Sequence, residues 1–405
     1  MFPALFRIFA RGGTTNRFPE EIKKPKNVLS TMKKTLCTIA LLLAAIPFVG
    51  ARESDAPVQK PKMSLRIFQD AVNHWRMTHK EDYPRYAPEQ YREIADNLLA
   101  YQNADGGWPK NIDWMAVLDA DSVRMTLSRR SLSSTLDNSN IYPQMTYLSE
   151  VYGLTGDERY RQGAERAVEY ILGLQHPVSG GWRGADVDAV TYNDGVMSGI
   201  LSTWLEILRG NEIYGWMDDS LRERIRQSWE RGLAVILATQ YVQNGVKTVW
   251  CQQHDHETLE PCKARSYELP SLSAGESAGI VLLLMSIDHP SPEVVEAVEG
   301  AVAWFERTKI EGKRIVTIPM PEGNPEDPSI KKDRRLVDDP AAKGLWPRFS
   351  ELEDNTPFFC NRDGIKVYTL EEVLPERRTG YGWYGEWGQP VLKAYPKWKQ
   401  RIGKE

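Results

Sequence analysis

Cysteine is scarce: four occur in 405 residues, and no two are spaced Cys-x-x-Cys, which argues against a structural zinc site. Charge of one sign is lacking too. The formal net charge is −4, so no strongly basic surface invites nucleic acid or an anionic membrane. The 51 Lys and Arg residues still suffice for local basic pockets, so a polyanionic substrate stays open. No EF-hand loop is present, and no aspartate-rich diphosphate-binding motif falls on a helical pattern. The apolar run Thr35 to Val49 is shorter than the ~20 residues that cross a bilayer. Strand signals are few and short, Arg314 to Ile318 being the best.

What is present begins with an address. Residues 32–51 read as a secretory signal: Lys33 and Lys34, the apolar run, then Val49-Gly50-Ala51 as a small-residue cleavage site. Residues 1–31 read as an over-extended start, with Met32 the initiator; a signal anchor is the alternative. Residues 52–62 read as a linker, and 63–405 as a single domain. The mature protein is expected to be periplasmic or secreted, monomeric, and without a membrane partner. Maturation leaves Cys251, Cys262 and Cys360. Export permits a Cys251–Cys262 disulfide; free buried thiols are the alternative.

The rest is mainly α. In 157–175, Tyr160, Ala164, Ala167, Ile171 and Leu174 recur at helical spacing behind Asp157 as N-cap. Similar patterns fall at 64–79, 87–102, 138–153, 195–209, 219–240, 276–287, 292–308 and 385–396. A weak repeat links some of them. Tyr101-Gln102 precedes Asp105-Gly106-Gly107-Trp108, and Leu174-Gln175 precedes Ser179-Gly180-Gly181-Trp182. A degenerate copy runs from Thr239-Gln240 through Asn244-Gly245 to Trp250. Helix pairs of this kind bury their apolar faces only by stacking on neighbours. An α/α toroid meets that need, with turns and active site at its funnel end. From 319 to 364 the periodicity fades into a Pro- and Asp-rich excursion, a sign of function or mobility.

Candidate chemistry concentrates in Trp250 to Leu283, which packs His254, Asp255, His256, Glu257, Arg265, Glu268 and Glu276 around turn-prone Pro and Gly. Asp137-Asn138 and Asn193-Asp194 each open a helical pattern, so both aspartates read as N-caps that can also turn an oxygen toward a hard cation. Lys110, Arg265, Arg362, Arg377 and Arg378, set among 13 Trp and 17 Tyr that include Tyr381, suit a cleft for a carboxylate-bearing polymer.

In order, the chain carries NADGGWPKN at 103–111, TLDNSNIYPQMTYLSEVY at 135–152, GGW at 180–182 and TYNDG at 191–195. The 250–283 segment follows, then LWPRFSELEDNTPFFCNRDG at 345–364 and ERRTGYGWYGEW at 376–387. This ordered set resembles the family 10 polysaccharide lyases, the pectate lyases, over roughly 65–396. The resemblance implies an (α/α)₃ toroid-like fold and calcium-assisted β-elimination of α-1,4-polygalacturonate or its oligomers. It implies that Asp137 and Asp194 bind Ca²⁺ with Asn138 close by, and that Arg265 takes the proton. It also implies that Lys110, Arg362, Arg377 and Arg378 hold uronate carboxylates, with Tyr381 beside them. One departure stands out: the second Gly-Gly-Trp continues as Arg183-Gly184, where many relatives are expected to have Pro-Gln. That bears on one subsite, and so on chain length or methyl esterification. Arg normally stays protonated, with a pKa above ~12, so as the base Arg265 must be perturbed by neighbouring cations or act late. The alternative is that Arg265 is purely electrostatic and a calcium-bound hydroxide or another side chain takes the proton. An inverting glycoside hydrolase, which needs only two carboxylates, is the nearest rival. A non-catalytic pectin-binding protein is another.

Overall fold

The computed structural model describes residues 61–403 except 63, 80–82 and 118, all within one compact unit. The expected signal and residues 1–31 lie outside the described residues, as does most of the linker. Helices α1 (Gln69–His79) and α2 (Tyr91–Tyr101) lead into three helix hairpins. These are α3 (Tyr142–Thr155) with α4 (Glu158–Leu174), α5 (Val196–Leu208) with α6 (Asp219–Thr239), and α7 (Ala274–Ser286) with α8 (Pro292–Thr308). A short α9 (Pro375–Gly380) and a closing α10 (Gly388–Ile402) follow.

The inner helices are α3, α5 and α7, which touch one another in that order; α4, α6 and α8 lie outside them. Sequence explains the division. The run Ser277 to Met285 in α7 is apolar almost all round, as a helix covered on every side requires. Helix α4 instead buries a single face through Tyr160, Ala164, Ala167, Val168 and Ile171. The fold is the (α/α)₃ toroid expected, and the Asp157 side chain caps α4 by accepting from Arg159 N at 3.0 Å.

The repeat has a physical meaning. Each glutamine caps the C-terminus of a helix (α2, α4 and α6) and uses its carboxamide as a clasp. Gln102 Nε2 donates to Gly106 O in its own turn (2.8 Å) and to Gly163 O on α4 (2.9 Å). Gln175 Nε2 reaches Gly180 O (2.7 Å) and Ser228 O on α6 (2.8 Å). Gln240 Nε2 reaches Thr248 O (2.9 Å) and Ala297 O on α8 (2.8 Å). The indole that follows folds back onto the helix just ended: Trp108 Nε1 to Leu98 O (2.7 Å), Trp182 Nε1 to Ile171 O (2.8 Å), Trp250 Nε1 to Ile236 O (2.8 Å). Gly106 is obligatory, since its φ is +92° and a Cβ would sit 2.3 Å from Arg166 O.

A fourth copy was hidden from sequence reading. Trp346 Nε1 donates to Phe305 O (2.9 Å), although Lys309 stands where glutamine stood and the indole comes 37 residues later. The carboxamide now comes from the other side, as Gln389 on α10 donates to Lys343 O. The intervening excursion is not wholly irregular. Strands β1 (Lys313–Pro319) and β2 (Lys332–Asp338) pair antiparallel over seven residues each. Replacing Gln240 by Leu strands two buried carbonyls; we expect a loss of about 1–3 kcal/mol, read as a lower midpoint in urea.

Candidate active site

The segments before the inner helices meet. Asp137 and Asp194 do not cap α3 and α5 as expected; those positions are Ile141 and Gly195, without side-chain capping bonds. Both carboxylates are therefore released for other work. The backbone is unusual here: Asn138, Ser139, Ile141 and Asp194 have φ of 57°, 51°, 79° and 54°. Non-glycine residues in that region carry strain, which gathers at functional sites. The two loops are stitched directly, Ser139 N donating to Asp194 O at 3.2 Å. Asn138 Nδ2 donates to Asn111 Oδ1 at 2.7 Å.

Asp137 is buried and accepts from the Lys110 ammonium. Asp194 has weaker support, a 3.0 Å contact from Asn193 Nδ2. Burial pushes its carboxyl up to about 7, helped by the charges of Asp137 and Glu276 and opposed by Arg348 and Arg265. The pair is thus short of positive charge. Among the described residues, no group of three or more His, Cys, Asp or Glu is arranged to hold a metal ion.

Across from these carboxylates lie four guanidinium groups gathered on two phenol rings. Arg265, Arg362 and Arg377 lie 5.1, 5.7 and 4.7 Å from the Tyr267 ring centroid. Arg265, Arg348 and Arg377 lie 5.9, 4.7 and 5.4 Å from that of Tyr381. The ring faces offset repulsion between the cations. Arg265 is half-buried, Nε donating to Glu268 Oε2 at 2.8 Å and Nη2 to Oε1. The Tyr381 hydroxyl donates to the same Oε1 at 2.8 Å. Burial pulls the Arg265 pKa down, but the Glu268 pairing outweighs it and leaves it raised. The expected lowering by neighbouring cations is therefore absent, because the Glu268 carboxylate is placed against the guanidinium.

The other expected residues divide. Arg377 is buried among the rings, whereas exposed Arg362 is paired with Glu376 through Nη2 at 2.8 Å. Arg378 is placed differently from expectation. Its Nε donates to Asp333 Oδ1 (2.7 Å) and its Nη1 to Val373 O (2.7 Å) and Glu371 O (3.0 Å). It ties α9 to β2 rather than offering its charge outward.

Sequence reading passed over Arg348 and Gln252. Arg348 Nη2 donates to Glu276 Oε1 (2.6 Å) and Asn193 Oδ1 (3.1 Å); Gln252 Nε2 donates to Glu276 Oε1 (2.9 Å). They link the arginine cluster to the Asp194 loop. The histidines of the 250–283 stretch are otherwise engaged. His254 is buried with Nδ1 on Leu259 O (2.9 Å), and burial pushes its imidazole down to about 4. Cys251, Cys262 and Cys360 are free thiols, so the disulfide is not formed here.

Comparison with known proteins shows the family. The Pectic acid lyase family matches residues 102–392. The solved family 10 polysaccharide lyase from Cellvibrio cellulosa is similar at 30% identity, covering 84% of this chain and 99% of that one with a TM-score of 0.64. An aspartate-to-alanine mutant of that organism's family 10 lyase, in complex with trigalacturonic acid, is similar at 29% identity, covering 83% of this chain and 98% of that one, with a TM-score of 0.63. No curated protein sequence matches. The chain is a polysaccharide-cleaving lyase by class. It belongs to the pectic acid lyases of polysaccharide lyase family 10.

Proposed function

We propose that the protein is a calcium-dependent pectate lyase that cleaves α-1,4-polygalacturonate by β-elimination after export. The observation that carries this is the meeting of two carboxylates, Asp194 with no close cation among the described residues and buried Asp137 held by Lys110, with the Arg265–Tyr267–Tyr381–Arg377 cluster. Such a site presents cations to a uronate carboxylate and, beside them, an acidic pair suited to a hard cation. Asp137 and Asp194 would hold Ca²⁺ with Asn138 nearby; bound there, it would supply charge neutralisation of the substrate carboxylate. The C5 proton of a uronate is weakly acidic because its ionised carboxylate opposes a neighbouring carbanion. Arg377, Arg362 and Lys110 draw off that charge and stabilise the enolate-like transition state.

Arg265 is assigned the C5 proton. Since Glu268 holds it protonated, we propose that it accepts from C5 as one of its own N–H protons passes to Glu268. The guanidinium keeps its charge and Glu268 becomes neutral; the C5–H electron pair forms the C4–C5 double bond as the C4–O bond breaks. The departing glycosidic oxygen takes a proton from solvent water, to which Glu268 then returns the one it received. The product is an unsaturated uronide, visible in the ultraviolet. A hydrolase would release a saturated sugar and a binding protein nothing, so this assay separates the three readings. Chelation with EGTA is expected to abolish the signal and added calcium to restore it; turnover that survives EGTA refutes the calcium assignment.

A further inference from the structure

A cavity of about 790 Å³ lies where α1 faces the loops around 110–112, 131–136 and 183–185. That volume falls in the ~300–1,000 Å³ range of small-molecule sites. Tyr170 gives it an aromatic wall, Trp75 lies behind another with the His79 ring stacked on it at 3.6 Å, and Ser131 and Ser134 line a further side. Its cations are Lys110 and Arg183, and none of its lining residues is acidic. The Trp75 indole N–H is buried without a hydrogen-bond partner. The Tyr170 ring, the hydroxyls and the Arg183 guanidinium together suit a sugar that carries a carboxylate.

The cavity adjoins the catalytic side. Lys110 holds Asp137, and Gly184 comes so near that a Cβ there would lie 3.1 Å from Asp137 Oδ1. Arg183 is engaged only loosely. Its Nε donates to Gly184 O at 3.3 Å, and Nη1 stands 3.4 Å from Asp188, a carboxylate 70% exposed. An exposed pair of this kind is worth little, so an incoming carboxylate can displace Asp188 at small cost. We propose that this cavity is a distal subsite for a further galacturonate unit of the same polymer, with Arg183 receiving its carboxylate. The proposal rests on the lyase reading above and makes Arg183 a determinant of chain-length preference.

Binding of saturated tri- and hexagalacturonate, measured by calorimetry in Arg265→Ala protein, tests it. The hexamer should bind about tenfold tighter, the equivalent of one good charge-assisted contact. Arg183→Gln should erase that gain, and so should Ser131→Trp, which fills the cavity without touching its charges. Equal affinities for the two lengths overturn the subsite, as does a gain that survives both substitutions. Ultraviolet turnover of both oligomers by the unaltered enzyme is read separately. A chain-length gain in binding without any unsaturated product sinks the lyase reading and leaves the subsite standing.

Discussion

Arg265→Ala is expected to lower kcat on polygalacturonate by about 10²–10⁴-fold, the usual worth of a positioned proton acceptor. KM should move much less, because Arg377, Arg362 and Lys110 remain to hold carboxylates. A rate within roughly tenfold of the unaltered enzyme, about 1.4 kcal/mol of barrier, removes Arg265 from the proton's path. Glu268→Gln discriminates how Arg265 acts. If a small neutral fraction of Arg265 did the work, removing Glu268 would lower the guanidinium pKa, and activity would rise, climbing with pH well past neutrality. With Glu268 as the proton's destination, the substitution abolishes turnover and the unaltered enzyme reaches a plateau near neutrality. The bidentate contact from Arg265 to Glu268 favours the second outcome.

Asp194→Asn should cost roughly 100-fold or more in kcat/KM at fixed calcium, since a metal's charge stabilisation is worth several kcal/mol. Asn is the variant of choice because it tolerates the left-handed backbone at this position. Stability should move the opposite way. Asp194 is pushed up to about 7 from an ordinary 3.8, so between those values the folded state binds more protons than the unfolded one. Folding stability in EGTA therefore falls as pH rises from about 4 to about 7, then levels. Melting curves of the unaltered protein and Asp194→Asn, compared at pH 5 and 8 in EGTA, should show a smaller drop in the variant. Equal drops would mean that Asp194 is not the strained carboxylate. Proton and calcium compete for the same oxygens, so calcium affinity should also weaken below about pH 7.

Much of this was legible. The Gln…Gly-Gly-Trp copies pointed to the ring because helix pairs of this kind bury their apolar faces only on neighbours. Asp137 and Asp194 instead stood out through the family resemblance, since Asp157 and Asp218 also precede helices. The local role was misread even so, since the αL turns at Asn138 and Asp194 depend on two loops meeting across 55 residues. Arg377 and Arg378 illustrate the same limit. Adjacent residues on a helix do not share a face, and only packing reveals that one joins the tyrosine rings while the other is consumed by Asp333. Arg348 was missed because its partner, Glu276, is 72 residues away. The fourth Trp was missed because the β1–β2 hairpin separates it from its helix.

That fourth copy also bears on how the protein comes apart. Three of the seams are locked by a carboxamide rooted at a helix end and reaching a carbonyl on the next outer helix. At the last one the grip is reversed and more open to water, with Gln389 reaching in from outside. Amide exchange should therefore begin in α10 and spread inward, so that the C-terminal helix serves as the latch whose release precedes global unfolding.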